Sequence, residues 1–407
     1  MRICVVVRQF PVVSQTFVVD HVAGLLERGH EVTVVALAYS PPAASTLSQD
    51  WKRVIAATEP RPLAPTGLRP QRLFKFGAMA ATAVAHAGPK ALRFVFDKPA
   101  LEPFGRGPRL LCAARVRRAG PFDVMHAHFG PAGVAAHALR EAGVFDAPIV
   151  CSFHGFDVNV FPKQNPGCYD AVFSSFDRVT AGTEFMRAEV GGLGFPDDRI
   201  RVWPQGIDTE RFAPSPSPGN DGEFRILTVA RLVDFKGVDV ALRAVARSRA
   251  EIPNLRYTII GAGERRNALE LLATELRIDD VTEFAGALPH DAVVDAYRNA
   301  DVFVLTGRTD AEGHKEGQGV VVGEASASAL PVVSCRSGGL SEVVVDGQTG
   351  ILVEPEDDAG AAAAIVRLGR DAELRRRLGA AGREYVVALF SRSASIDTIE
   401  RIYHEVC

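Results

Sequence analysis

No apolar run in this sequence approaches the roughly 20 residues that a membrane-spanning helix needs. No basic, then apolar, then small-residue cleavage pattern opens it either, so a secretory leader is not expected. The six cysteines, at 4, 112, 151, 168, 335 and 407, form no C-x-x-C pair and no cysteine–histidine cluster of zinc spacing. Most of them sit in apolar runs, Cys4 and Cys151 among them, as buried free thiols do. A dinucleotide-type G-x-G-x-x-G is missing after the first strand-like run, which disfavours a nicotinamide dehydrogenase. An excess of one charge is missing as well: the formal net charge is −3, which gives the whole molecule no pull on nucleic acid. These absences lead us to expect a cytoplasmic protein of a reducing compartment, at most resting on a membrane surface, with no metal site.

What is there reads as an ordinary globular composition, 47% hydrophobic and 23% charged. A length of 407 residues exceeds what one core usually supports, so two domains are expected. Residues 3–7 and 31–37 read as buried strands around a helix over 17–28, with Gly29-His30 as its stop. Further strands are expected at 123–127, 149–152, 178–181 and 201–203. A Pro/Ser-rich run over 213–220 then fits a semi-rigid linker. The pattern restarts with strands at 224–229, 255–260, 302–305 and 331–334, and closes on helices near 371–388 and 391–406. Such alternation predicts an α/β fold of parallel sheets with helices on both faces. The expected division is a Rossmann-like acceptor domain over 1–212, a linker over 213–220, a Rossmann-like nucleotide-sugar domain over 221–388, and a last helix over 389–407 packing back on the first domain. A ligand cleft between the two domains is expected at the carboxyl ends of their strands.

The second half carries the chemistry. Glu316-Gly317-Gln318-Gly319-Val320-Val-Val-Gly-Glu324 brackets a glycine turn with two carboxylates just where a helix opens. The spacing alone is weak, since Glu275 and Glu283 repeat it. The glycines give it meaning, because backbone amides at a helix start can then approach a diphosphate closely. Upstream, Arg231 and Lys236 in Val229-Ala-Arg-Leu-Val-Asp-Phe-Lys-Gly237 follow a strand. Two such cations can neutralise a leaving diphosphate without a metal. Gly261 and Gly263 form another turn at a strand end.

The R-x4-K pair, the G-x-G turn, and E-x7-E followed by Ala325-Ser-Ala-Ser-Ala-Leu-Pro-Val-Val333 resemble glycosyltransferase family 4, the large retaining GT-B family. Gly338-Gly339-Leu-Ser-Glu342 and Asp346-Gly-Gln-Thr-Gly350 continue a likeness that runs over essentially the whole chain. The resemblance implies a GT-B fold, two doubly wound domains facing across a cleft. It implies that Arg231 and Lys236 bind the donor diphosphate and that Glu324 binds its ribose. Glu316 would meet the transferred sugar, and main-chain groups at Gly286 and Leu288 the base. Gly261, Gly263 and residues 317–320 would line the donor. One departure is Ala329, where the family usually has glycine; alanine costs little there unless the position needs a positive φ.

The first half is less uniform. Arg8-Gln-Phe-Pro-Val-Val-Ser14-Gln15-Thr-Phe17, Asp123-Val-Met-His126-Ala-His128-Phe-Gly130, Ser152-Phe-His154-Gly-Phe-Asp157 and Gln318 look like a narrower group, the colanic-acid and amylovoran type exopolysaccharide glycosyltransferases. By that likeness His154 would lie near the reacting sugar, with Ser14, Gln15, His128 and Asp157 toward the acceptor. Asp157 would orient His154 or touch the acceptor, and Ser14 has the alternative role of a helix cap. His126 is expected on the other face of its strand, as a structural residue. Residues 61–118 hold twelve Lys or Arg against two acids, about +10. Solvated helix faces are one reading; the other is a surface for anionic lipid or a polyprenyl-diphosphate-linked acceptor.

The expectation is thus a retaining, metal-independent hexosyltransferase working from a nucleotide diphosphate sugar, with no cofactor. In this mechanism a closing hinge brings Arg231, Lys236 and the start of the helix after Gly319 onto the diphosphate. The alternatives are a sugar-nucleotide 2-epimerase of the same architecture, and a silent sugar-nucleotide-binding partner of a synthesis complex.

Overall fold

The computed structural model describes residues 1–10, 12, 15–39, 49–58, 81, 113, 115–214 and 222–407. Most of the expected linker over 213–220, most of the basic segment over 61–118, Cys112 and Ser14 lie outside the described residues. The chain forms two compact units, one of Met1–Gly182, Arg187–Trp203 and Ile396–Cys407, the other of Thr183–Met186 and Pro204–Ser395. The change of unit falls at Trp203/Pro204 because Ile207 and Phe212 are already buried in the second unit's core.

The first unit is built on a six-stranded parallel sheet in the order β2-β1-β3-β4-β5-β6. Its strands are β1 (Arg2–Phe10), β2 (Glu31–Tyr39), β3 (Val124–His128), β4 (Ile149–Phe153), β5 (Arg178–Ala181) and β6 (Ile200–Val202). Ile3 to Val7 are fully buried, as a strand covered on both faces must be, which is why its sequence is an unbroken apolar run. The helices that matter below are α1 (Thr16–Glu27), α2 (Gly130–Glu141) and α3 (Glu184–Gly192). The first of these ends on Gly29 at φ +81, with the Gly29 amide donating to Leu26 O at 3.1 Å.

The second unit carries another six-stranded parallel sheet, in the order β12-β11-β10-β7-β8-β9. Its strands are β7 (Phe224–Val229), β8 (Leu255–Ile260), β9 (Thr282–Gly286), β10 (Val302–Leu305), β11 (Val332–Cys335) and β12 (Gly350–Val353). Its helices include α4 (Val238–Ser248), α5 (Arg266–Glu275), α6 (Val320–Ala327), α7 (Ala372–Phe390) and α8 (Arg392–His404), and α8 passes into the first unit. Ile396, Ile399, Ile402 and Tyr403 of α8 are buried in the first unit's core beside β1, α1 and Trp203.

In each sheet the strand order reverses once, between β1 and β3 in the first and between β7 and β10 in the second. Doubly wound sheets offer their ligand crevice at the carboxyl ends of the strands flanking such a reversal. Those ends are where the residues singled out from the sequence sit. Ala329, the departure from glycine, has φ +55, so this position does demand the left-handed region. No described helix is long and apolar enough to cross a membrane. Cys4, Cys151 and Cys335 are buried free thiols.

Candidate functional site

In the second unit, β7 runs out into Arg231, and a single 3-10 turn, Asp234–Lys236, follows. Gly237 closes that turn at φ +63, and a Cβ there would lie 1.8 Å from Thr306 O. The Thr306 hydroxyl donates to Gly237 O at 2.7 Å, so Lys236 is pinned beside the loop that leaves β10. Between the two cations lies the ring of Phe235, 5.5 Å from the Arg231 guanidinium and 5.1 Å from Lys236 Nζ. His314 stacks on the same ring at 5.7 Å.

Lys236 Nζ is ion-paired with the Glu316 carboxylate, and both side chains are largely buried. Glycines set the main chain under that carboxylate. A Cβ on Gly338, at φ +57, would lie 2.1 Å from Glu316 O, and one on Gly339 2.0 Å from Gly317 O. The Gly339 amide donates to Glu316 O at 3.0 Å, and the Thr183 hydroxyl to Gly317 O at 2.8 Å. Helix α6 then opens on Gly319 at φ +81 with no side-chain cap; the Val322 amide donates to Gly319 O at 2.9 Å, which leaves the amides of Val320 and Val321 to face an anion. One and a half turns in, Glu324 accepts from the Tyr297 hydroxyl at 3.0 Å.

The glycine turn after β8 serves the same region. A Cβ on Gly261 would lie 1.8 Å from Ala230 O, and one on Gly263 2.3 Å from Leu232 O, so both glycines press on the segment that carries Arg231. The Gly261 amide donates to Gly286 O at 2.8 Å, which places the end of β9 alongside, with Leu288 exposed beyond it. Arg231, Lys236, Gly261, Gly263, Gly286, Glu316, Gly317, Gly319 and Val320 therefore gather at one end of the second sheet.

Gln318 departs from the expectation. Its side chain is buried, and both ends of the amide are spent on Gln205: Oε1 accepts from the Gln205 amide at 2.8 Å and Nε2 donates to Gln205 O at 3.0 Å. The side chain ties two loops together.

In the first unit the histidines do not act singly. His154 Nε2 lies 3.1 Å from His128 Nδ1, and His128 Nε2 lies 2.9 Å from His21 Nδ1. His21 Nε2 is 3.1 Å from the Tyr403 hydroxyl, which is 2.6 Å from His126 Nδ1. His126 Nε2 reaches Ser152 Oγ at 2.8 Å, and Ser152 reaches Thr180 Oγ1 at 2.5 Å. Burial holds the pKa of His21, His126 and His154 well below the usual histidine value, and pushes that of His128 down to about 3. Neighbouring rings add to the effect on His21, His126 and His154.

The face expected for His126 is overturned. Its ring stacks on His128 at 4.7 Å, on the same face of β3, because residues two apart on a strand point the same way. Asp157 is fully buried and accepts the main-chain N–H of Gly130, His154 and Gly155 at 2.8, 2.9 and 3.0 Å. Of its two considered roles the geometry fits the orienting one, exerted on the backbone of His154. Burial raises its pKa to about 6 despite those N–H groups. Gln15 occupies the N-cap of α1 without making a capping bond, and its buried Oε1 has no partner among the described residues.

Among the described residues, two groups bring metal-type donor atoms within 4.8 Å of one another, Asp310/Glu312/His314 and His21/His126/His128. In the first, Asp310 already accepts from the Glu312 and His314 amides at 3.0 and 2.8 Å. In the second, the ring nitrogens serve the hydrogen-bonded chain. Sequence reasoning missed His21, Tyr403 and Arg308. The last of these pairs with Asp234, Asp239 and Glu356 behind the Lys236 turn, and nothing in its local sequence marks it.

Two doubly wound parallel sheets, the second with paired cations and a glycine turn at its strand reversal, define the GT-B architecture of sugar transferases. The family model for Glycosyltransferase Family 4 matches residues 14–211, and that for Glycosyl transferases group 1 matches residues 210–385. The putative colanic acid biosynthesis glycosyltransferase WcaL of Escherichia coli K12 is 32% identical over 377 residues, 89% of each chain. The amylovoran biosynthesis glycosyltransferase AmsK of Erwinia amylovora is 28% identical over 381 residues, 90% of each chain. Among solved structures, a glycosyltransferase from Rickettsia africae superposes with a TM-score of 0.73 at 16% identity, over 100% of this chain and 98% of that one. HepE of Anabaena in complex with UDP gives 0.72 at 16% identity over 100% of both chains. The chain belongs to the family 4 (group 1) glycosyltransferases.

Proposed function

We propose that this glycosyltransferase moves a hexose from a nucleotide diphosphate sugar onto a saccharide or lipid-linked saccharide in exopolysaccharide synthesis, with retention of configuration and without a metal. The observation that carries the donor reading is the gathering of Arg231, Lys236, Glu316 and the uncapped start of α6 around one glycine-built turn. Positive charge and main-chain N–H groups there can take up the charge that grows on the leaving diphosphate. The similarity to WcaL and AmsK supports the exopolysaccharide setting, and the UDP-bound HepE structure supports a nucleotide ligand. In this reading Glu316 meets the transferred hexose, Glu324 meets the ribose, and main-chain groups at Gly286 and Leu288 meet the base. Gln15 and His154 serve the sugar side, where an unpartnered buried oxygen and a neutral imidazole can hydrogen-bond hydroxyls.

Thermal unfolding of the purified chain with UDP, GDP, ADP and their sugars, in the presence of a chelator, tests the donor. A nucleotide at 100 times its Kd stabilises the fold by about 2.7 kcal/mol. Stabilisation by one base, abolished in Arg231→Ala, is the expected result. Stabilisation only with a divalent cation overturns metal independence, and none with any nucleotide overturns the donor reading. The anomeric configuration of the product, read by NMR, decides retention.

A further inference from the structure

The chain of side chains in the first unit has a property that single histidines lack. A neutral imidazole carries one N–H and one lone pair, and a hydroxyl donates once and can accept. With the proton of every ring on Nε2, His154 donates to His128, His128 to His21, and His21 to the Tyr403 oxygen. Tyr403 then donates to His126, His126 to Ser152, and Ser152 to Thr180. With every proton on Nδ1 instead, each of these bonds reverses and is still made. The two arrays hold the same protons and no net charge. A mixed arrangement sets two lone pairs or two N–H groups against each other between neighbouring rings, or at Tyr403 leaves a ring lone pair or the hydroxyl proton without a partner, in a place where water cannot help: His126, His128 and Tyr403 are fully buried. Ring packing closes the site further, with Trp203 4.7 Å from His21 and Phe17 4.5 Å from His154. The titratable groups along it are the four imidazoles and Tyr403; the carboxylate of Asp157, three residues after His154, is taken up by main-chain N–H groups.

The geometry points to a collective tautomer lock: His21, His126, His128 and His154 share one tautomer, and Tyr403 is the positioning residue that couples them. Tyr403 sits in α8, 382 residues from His21, and among the described residues its hydroxyl is the hydrogen-bonded link between the His154 branch and the Ser152 branch. The lock decides which nitrogen of His154 carries the proton. A sugar site gains a neutral imidazole whose tautomer is set by the whole array. The functional consequence rests on the reading that His154 meets the sugar; the lock itself does not.

The test uses the full chain. Long-range 1H–15N NMR of the labelled protein shows which nitrogen of each ring is protonated. All four rings neutral at pH 7 and of one tautomer, or showing one common ratio of the two, is the expected result; a ring of the opposite tautomer or a charged ring overturns the lock. In Tyr403→Phe, His126 is expected to change tautomer ratio independently of His21, His128 and His154. Hydrolysis of the nucleotide sugar that stabilises the protein in the UDP/GDP panel, with water as acceptor, should slow roughly tenfold or more in kcat. Its KM for that donor should stay within about twofold, since the donor groups lie in the other unit. An unchanged kcat in Tyr403→Phe, in a protein that His154→Ala inactivates, overturns the positioning role. A fully active His154→Ala instead overturns the placement of His154 at the sugar and leaves the NMR result standing. If Tyr403→Phe does not fold, the wild-type spectrum alone decides.

Discussion

Lys236 and Glu316 are partners before any ligand arrives. The ammonium proposed to receive a diphosphate is held by a carboxylate from a loop 80 residues away, at the start of α6. A partly buried pair of this kind stores the cation in place and keeps its charge compensated.

The pair can be split by substitution. Lys236→Ala should weaken nucleotide diphosphate binding at least about tenfold, 1.4 kcal/mol, because a charge-assisted contact is lost and Glu316 is left uncompensated. Glu316→Gln frees the ammonium and should bind the same nucleotide as well as or better than the parent, while losing most turnover. Calorimetry with the nucleotide and a turnover assay separate the two; weaker binding in Glu316→Gln would count against the arrangement.

Gly237 and Gly338 combine a left-handed φ with a main-chain carbonyl inside van der Waals reach. Alanine at either should cost about 2–4 kcal/mol, adding strain in φ to a clash that flexible side chains cannot relieve. Urea unfolding of Gly237→Ala and Gly338→Ala measures this, and a loss below about 1 kcal/mol would mean that the turns relax freely.

Ala329 offers the opposite experiment. An alanine at φ +55 bears a strain that glycine avoids, partly offset by glycine's greater freedom when unfolded. Ala329→Gly should stabilise the chain by about 0.5–1 kcal/mol, roughly 2–4 °C in Tm at the upper end. A lower melting temperature would refute it.

Acid should weaken the first unit in a specific window. His21, His126, His128 and His154 have folded pKa values depressed below 6.5, that of His128 to about 3. The unfolded chain therefore takes up protons first, and stability falls as pH drops below about 6.5, by up to about 1.4 kcal/mol per pH unit for each ring kept neutral. Asp157 opposes this: its pKa, raised to about 6, makes its contribution grow as pH falls from 6 toward 4. Four rings outweigh one carboxyl, so the midpoint of urea unfolding should drop between pH 7 and 5.5. A flat profile would show that the rings are charged in the fold.

The interior strands were legible because burial on both faces writes itself as apolar runs; 178–181, 224–229, 255–260 and 302–305 are predicted to the residue. The two strands that escaped notice, Thr282–Gly286 and Gly350–Val353, are the edges of the second sheet, where one side needs no apolar cover. At the site, Arg231, Lys236 and Glu316 could be read from spacing and glycine context. His21 could not, since a histidine inside the apolar face of Thr16–Glu27 looks like an interruption. His126 could have been placed by counting two residues from His128. Tyr403 leaves no local signal at all, because its partners lie hundreds of residues upstream.

The insertion of α8 into the first unit sets an order of events during synthesis. The other segments of that unit all precede Ile396, so the places of Ile396, Ile399, Ile402 and Tyr403 are filled only after the rest of it has been made. A version cut before Ile396 is expected to have a hollow in that apolar core and to lack the hydroxyl that joins His21 to His126. The early part of the unit is thus sealed by a later one.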